Sequence, residues 1–191
     1  MTDPPPFVLV TGNPKKVAEA ETALGRPLET IALDLPEIQS LDLAQVVAAK
    51  AEEAWRRLRR PLVVEDTSLS LSALGGFPGP LVKWLLESVG VEGIARVGKA
   101  LGDDQAVAAC ALVYKFGSAP EDRLTATVEV PGRLADPPRG LGGFGWDPAF
   151  QPEGHDRTLG EMSDEEKDGV GPRGRVWREL ASLLARETDG T

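Results

Sequence analysis

"FVLVTGNPKKVAEAETALG", residues 7–25, decides the fold. The apolar run "FVLVT" suits a buried strand. Pro14 fits the first turn of a helix, which the pattern predicts to run to about Leu24, where Gly25 stops it. Strand, tight turn and helix open many nucleotide-binding proteins. Yet the turn carries a single glycine, Gly12, where a dinucleotide loop needs three and a P-loop ends in Gly-Lys-Ser/Thr. Two readings of Thr11-Gly12-Asn13-Pro14-Lys15-Lys16 stay open. The first helical turn presents unpaired N–H groups and a positive dipole end, so a phosphate fits there, with Thr11 and Asn13 adding donors and Lys15 or Lys16 adding charge. Alternatively, the stretch is a plain link in which Asn13 caps the helix and both lysines are solvated.

Working outward, "LETIALDLP" reads as a second strand. Residues 42–59 read as a helix, with Asp42 as cap, Gln45 three residues on, and a stripe of Leu43, Val46, Val47, Ala54 and Leu58. Lys50 falls inside that stripe, where a lysine is unusual. It either snorkels out along its stem or points at an anion. "PLVVEDTSLSLSAL" begins as a buried strand and is expected to place Glu65 and Asp66 at its C-terminal end. "LVKWLLESVG" reads as a helix with Leu81, Trp84 and Leu85 on one side, and a further helix reaches about Leu101. "AVAACALVYKF" and "RLTATVEVPGRL" read as paired antiparallel strands. "PRGLGGFGWDPAFQP" is a glycine-rich loop, and from about Ser163 a helix is interrupted by Gly-Val-Gly-Pro and then resumes. This order indicates one α/β domain over residues 1–191 with a mixed sheet. Ligands in such sheets gather at strand C-terminal ends, where Thr11–Asn13 and Glu65–Asp66 are expected.

Composition narrows the chemistry. Among 191 residues there is one cysteine, Cys110, and one histidine, His155, so multi-histidine and Cys-rich metal sites are excluded. The formal net charge of −9 disfavours non-specific nucleic-acid binding. No apolar run is long enough for a membrane span, and Met1-Thr2-Asp3-Pro4 does not open a secretory signal; a cytoplasmic protein is expected. Carboxylate, lysine and metal chemistry remain, and an anionic ligand would need lysines or a bridging cation.

Glu65-Asp66-Thr67 suits a hard divalent ion such as Mg²⁺. Adjacent strand residues face opposite ways, so one of the two carboxylates reaches the metal; otherwise the pair is a solvated strand end. Phe144-Gly145-Trp146-Asp147-Pro148 sets two aromatics and an acid among glycines. The rings can stack on a base and Asp147 can accept base N–H groups, or the rings simply pin the loop.

TGNPKK, "DLPEIQ", "VVEDTSLSLSALGGFPGPLVKWLLE", "FGWDPAFQP" and "TLGEMSDEEKD", in that order from Val8 to Leu180, closely resemble the inosine/xanthosine triphosphate pyrophosphatase family. The resemblance implies Mg²⁺-dependent hydrolysis of ITP, dITP and XTP to the monophosphate and pyrophosphate. It also implies an elongated fold of two lobes with the site in the cleft between them, usually as a homodimer. By motif match, Thr11, Gly12, Asn13 and Lys16 bind phosphate. Glu37 and Asp66 hold the metal, and Asp66 matches the proposed proton acceptor for the attacking water. Thr67 follows in the same motif, and Lys50 and Lys83 match lysines near the phosphates. Phe144, Gly145, Trp146, Asp147, Lys167 and Arg173 match the base-binding residues. One departure stands out. Where the family reads Glu-Lys-Asn-x-x-Ser-His-Arg, this chain reads Glu166-Lys167-Asp168-Gly169-Val170-Gly171-Pro172-Arg173, so the Ser and His positions are Gly171 and Pro172. Two rivals remain: a dinucleotide-dependent oxidoreductase, which the missing G-x-G-x-x-G disfavours, and a catalytically silent purine-nucleotide-binding module, which intact Glu37 and Asp66 disfavour.

Overall fold

The computed structural model describes residues 7–189; the N-terminal residues Met1–Pro4 read above lie outside them. The opening stretch folds as expected. β1 (Val8–Val10) leads into α1 (Pro14–Leu24), whose first turn is capped by the Asn13 side chain and whose end is capped by Gly25 at φ 64°. That left-handed conformation suits glycine, which has no Cβ to clash. β2 (Glu29–Ile31), α2 (Leu43–Leu58), β3 (Leu62–Leu71), β4 (Pro78–Gly79), α3 (Val82–Leu101), β5 (Gln105–Lys115), β6 (Arg123–Leu134), β7 (Phe150–Pro152), α4 (Asp164–Val170) and α5 (Pro172–Asp189) follow. They form one mixed seven-stranded sheet in the order β2-β1-β3-β5-β6-β7, with β4 also paired to β3.

Period-two alternation assigns the faces. Leu9, Val63, Cys110 and Leu112 pack on the α1 and α5 side with Trp177 and Leu180. Val8, Val10, Leu62, Val64 and Val113 pack on the α2 side with Val47, Ala51 and Ala54. At the far end, Leu69, Leu71, Ala108 and Val130 meet Val82 and Ile94 of α3. A helix that covers one half of the sheet and not the other leaves the two ends as two lobes.

Three expectations need correction. β3 does not end at Glu65–Asp66 but runs through them to Leu71, because β5 pairs with it all the way from Leu62↔Lys115 to Leu71↔Ala106. What ends there is its other neighbour. β1 pairs with β3 at Leu62 and Val63, and β4 takes up the same edge at Leu69 and Ser70. Between them that edge of β3 is uncovered, and Glu65, Asp66 and Thr67 stand in the gap. The second strand is shorter than read, since β2 has only β1 to pair with. Leu81 caps α3 rather than opening its face, so the inward positions become Val82, Leu85 and Leu86, and Trp84 is 59% exposed. The predicted division of α3 is present as a non-helical Gly90.

Candidate active site

Strand alternation separates the two carboxylates in the gap. Glu65 turns to the α1/α5 side and is buried. Its carboxylate is 3.2 Å from the Lys16 ammonium and accepts from Arg173 Nε at 3.0 Å and Trp177 Nε1 at 3.1 Å. Burial pushes this carboxyl up, but Arg173 and Lys16 outweigh it and hold Glu65 below the usual range. With every direction occupied, Glu65 anchors α1 and α5 to the sheet.

Asp66 turns to the α2 side. Its Oδ1 accepts from the Thr67 amide at 2.8 Å, and its Oδ2 lies 2.8 Å from Lys50 Nζ. Glu37 reaches the same ammonium at 2.6 Å from the loop after β2. Lys50 therefore resolves the choice left by its place in the apolar stripe: it points at two carboxylates. Burial disfavours its charge, yet Asp66 and Glu37 more than compensate, so it is held above its usual range. Glu37 is raised by burial and lowered further by Lys50, with Lys83 and Lys16 adding to a net drop.

Glu37 and Lys50 line a cleft of about 350 Å³ together with Thr11, Gly12, Asn13, Lys16 and Lys83, and Asp66 adjoins it through Lys50. Asn13 caps α1 by accepting from Lys15 N, and the Thr11 hydroxyl accepts from Asn13 N at 3.1 Å. Capping and a cleft-lining turn thus coexist in one loop. The two lysines diverge. Lys16 lines the cleft, whereas Lys15 leaves it and donates to the Gly143 carbonyl at 2.8 Å.

Thr67 faces the other way again, into a second pocket with Phe144, Gly145, Trp146, Asp147, Lys167, Gly171, Pro172 and Arg173. Asp147 Oδ2 accepts from Lys167 Nζ at 2.7 Å and from Phe144 N at 2.8 Å. Burial raises the Asp147 carboxyl above its usual range despite the attraction of Lys167. Lys167 and Arg173 lie 4.6 and 4.7 Å from the Phe144 ring centroid. Phe144 and Trp146 both line the pocket, and Trp146 is also pinned edge-on to Phe150 at 5.8 Å. The pocket wall formed by Gly171 and Pro172 carries no side-chain donor, and the Gly171 amide is spent on Lys167 O at 2.7 Å.

Glu19 was not foreseen. It stands between Lys167 at 2.7 Å and Arg173, joining α1 to α4 and α5. Its signal was its spacing three residues after Lys16 on one helix face, which also describes any solvated ion pair.

Two carboxylates sharing one cation beside an anion-ready helix start fit a hard cation that takes its remaining ligands from phosphates and water. Among the described residues no group of three or more His, Cys, Asp or Glu side chains forms a self-sufficient metal cage. No helix among them is long and apolar enough to cross a membrane.

The chain matches the model of the Ham1 family over residues 7–183. It is 42% identical over 171 residues to "Inosine triphosphate pyrophosphatase 2" of Trypanosoma cruzi (strain CL Brener), covering 88% of this chain and 86% of that protein. Among solved structures, a nucleoside-triphosphatase / dITP/XTP pyrophosphatase from Mycobacterium abscessus aligns with TM-score 0.66 and 32% identity, covering 93% of this chain and 98% of that one. A HAM1 protein from Coxiella burnetii shares the fold at TM-score 0.80 and 24% identity, over 94% and 98% of the two chains.

Proposed function

The chain belongs to the Ham1 family, and on that premise we propose a Mg²⁺-dependent nucleoside-triphosphate pyrophosphatase that hydrolyses ITP, dITP and XTP to the monophosphate and pyrophosphate, cleansing the cytosolic nucleotide pool. The observation that carries the reading is the pairing of Glu37 and Asp66 on one cation, Lys50, beside a cleft lined by Thr11, Gly12, Asn13 and Lys16 and separated by a single strand residue from the pocket of Asp147.

The chain's own groups divide the work. The loop of Thr11, Gly12 and Asn13, with Lys16 and Lys83, receives the phosphates. Glu37 and Asp66 would hold the metal, which would supply positive charge to offset that of the leaving pyrophosphate. Lys50, held as an ammonium, neutralises phosphate charge and orients Asp66. Asp66 accepts the proton of a water aligned on the α-phosphorus. Asp147 accepts the N1–H of a keto purine, while Phe144 stacks on the ring. Pyrophosphate release from ITP, abolished by EDTA and restored by Mg²⁺, tests the reaction; nucleotide binding without release would leave only the silent module.

The same pocket supports a broadened base range. Hypoxanthine and xanthine present an oxygen acceptor at C6 and adenine an amino donor, so donors aimed there reject adenine because adenine leaves them unpaired, at about 1–3 kcal/mol each. Gly171 and Pro172 supply none from their side chains. The wild type is expected to prefer ITP over ATP by less than the ~10⁴ reached by sites built on such donors. Pro172→His, alone and with Gly171→Ser, should widen that preference in kcat/KM. The double variant must also shift the α4–α5 junction, because a Cβ on Gly171 would stand 2.8 Å from Lys167 O. A wild-type preference above ~10⁴ that neither variant improves would refute the broadened range.

A homodimer completes the proposal. Ile38, Leu41, Phe77 and Trp84 are exposed apolar side chains, and a second copy would cover them. Sedimentation as a monomer across micromolar concentrations would refute it.

A further inference from the structure

We propose that Phe144 is a gate over the base pocket, hinged at Gly143 and Gly145 and latched shut by Lys15. The inference rests on the pocket's reading as a base site, and two cavities carry it. The pocket holding Asp147 and Lys167 has a volume of only about 40 Å³. On the other side of Phe144 lies a cavity of about 240 Å³ lined by Lys15, Ala18, Glu19, Thr22, Gly143 and Asp168 among others. A cavity of roughly 150 Å³ accommodates benzene. A purine is larger than benzene, so the first cavity cannot receive one as it stands, whereas the second can take the displaced ring of Phe144.

The chain around Phe144 is built for such a swing. Gly143 and Gly145 flank it at φ 70° and 64°, a region that glycine enters and leaves without steric cost. The frame on either side is fixed: Arg139 N bonds Pro148 O, Gly142 N bonds Gly160 O and Ala149 N bonds Trp146 O. Three bonds close the gate. Lys15 Nζ donates to Gly143 O at 2.8 Å, Phe144 N donates to Asp147 Oδ2 at 2.8 Å, and Asp147 N donates to Phe144 O at 3.3 Å. The second occupies the carboxylate that a base would use, so a bound base and the closed gate compete for one acceptor. Lys15 thus acts as a positioning residue: it holds the closed state, and apparent affinity is reduced by the fraction of molecules that are closed.

The test is amide hydrogen exchange over residues 142–147 in wild type, Lys15→Met and Lys15→Arg, with parallel titrations of inosine monophosphate and of pyrophosphate. Lys15 is exposed, so the variants keep the fold. Loss of one such hydrogen bond should speed exchange and tighten inosine monophosphate about two- to tenfold in Lys15→Met, leave pyrophosphate affinity unchanged, and be reversed in Lys15→Arg. Unchanged exchange in Lys15→Met overturns the gate. So does weaker binding of both probes, which would make Lys15 a phosphate ligand. Faster exchange without inosine monophosphate binding to any form would uphold the gate and refute the base-site reading on its own.

Discussion

The cleft and the base pocket use the same residue types in opposite settings. In the cleft, Glu37 is half exposed and shares Lys50 with Asp66 at the border of about 350 Å³ of open space. In the pocket, Asp147 and Lys167 are buried against each other within about 40 Å³. Carboxylates that stay near water can exchange a lysine for a metal and a hydrated, highly charged ligand. A carboxylate sealed from water pays heavily for any unpaired contact, which is the condition for discrimination. In the proposed function, one strand step, from Asp66 to Thr67, separates chemistry from selection.

That division can be broken. Asp66→Asn should lower kcat for ITP by about 10²–10⁴, the range for a lost general base, while calorimetric binding of ITP in EDTA survives. Asp147→Asn should instead act mainly on the ITP:ATP ratio of kcat/KM. Equal kcat losses in the two variants would dissolve the distinction.

A smaller effect sharpens the metal assignment. Glu37→Gln should raise the Mg²⁺ concentration for half activity by about tenfold or more, since it removes a charged oxygen ligand. A Mg²⁺ titration that overlays the wild type would give Glu37 another role.

The smallest effect is on pH. Asp147 is raised, so its protonated form is favoured in the fold, and that contribution is lost only as pH rises through the raised value. Glu65 is lowered, so its stabilisation holds above the usual value of 4.5 and disappears as pH falls through the depressed one. On acidification Asp147 therefore titrates first, turning from acceptor to donor and ceasing to exclude adenine. Selectivity for ITP over ATP should fall by up to about tenfold per pH unit, with thermal stability maintained until Glu65 protonates. Selectivity and melting temperature falling together would refute the order.

What the sequence disclosed follows from range. Asn13, Pro14 and Gly25 define α1 through local backbone rules, and Ser163 opens α4 with a reciprocal cap. Lys50 was conspicuous because three neighbours on its stripe were apolar. The extent of β3 was misread because a polar strand is stabilised by its neighbour β5, which no local pattern encodes. Glu19 was invisible for the same reason: its partner Lys167 lies 148 positions away.

The uncovered edge of β3 between β1 and β4 has a further consequence. A bare strand edge ordinarily invites a foreign strand, and with it aggregation. Here the bare stretch spans only positions 64–68, and β1 and β4 close it at either end. An intruding peptide would need a longer run to register, so the protein keeps unpaired backbone beside its cleft without becoming adhesive.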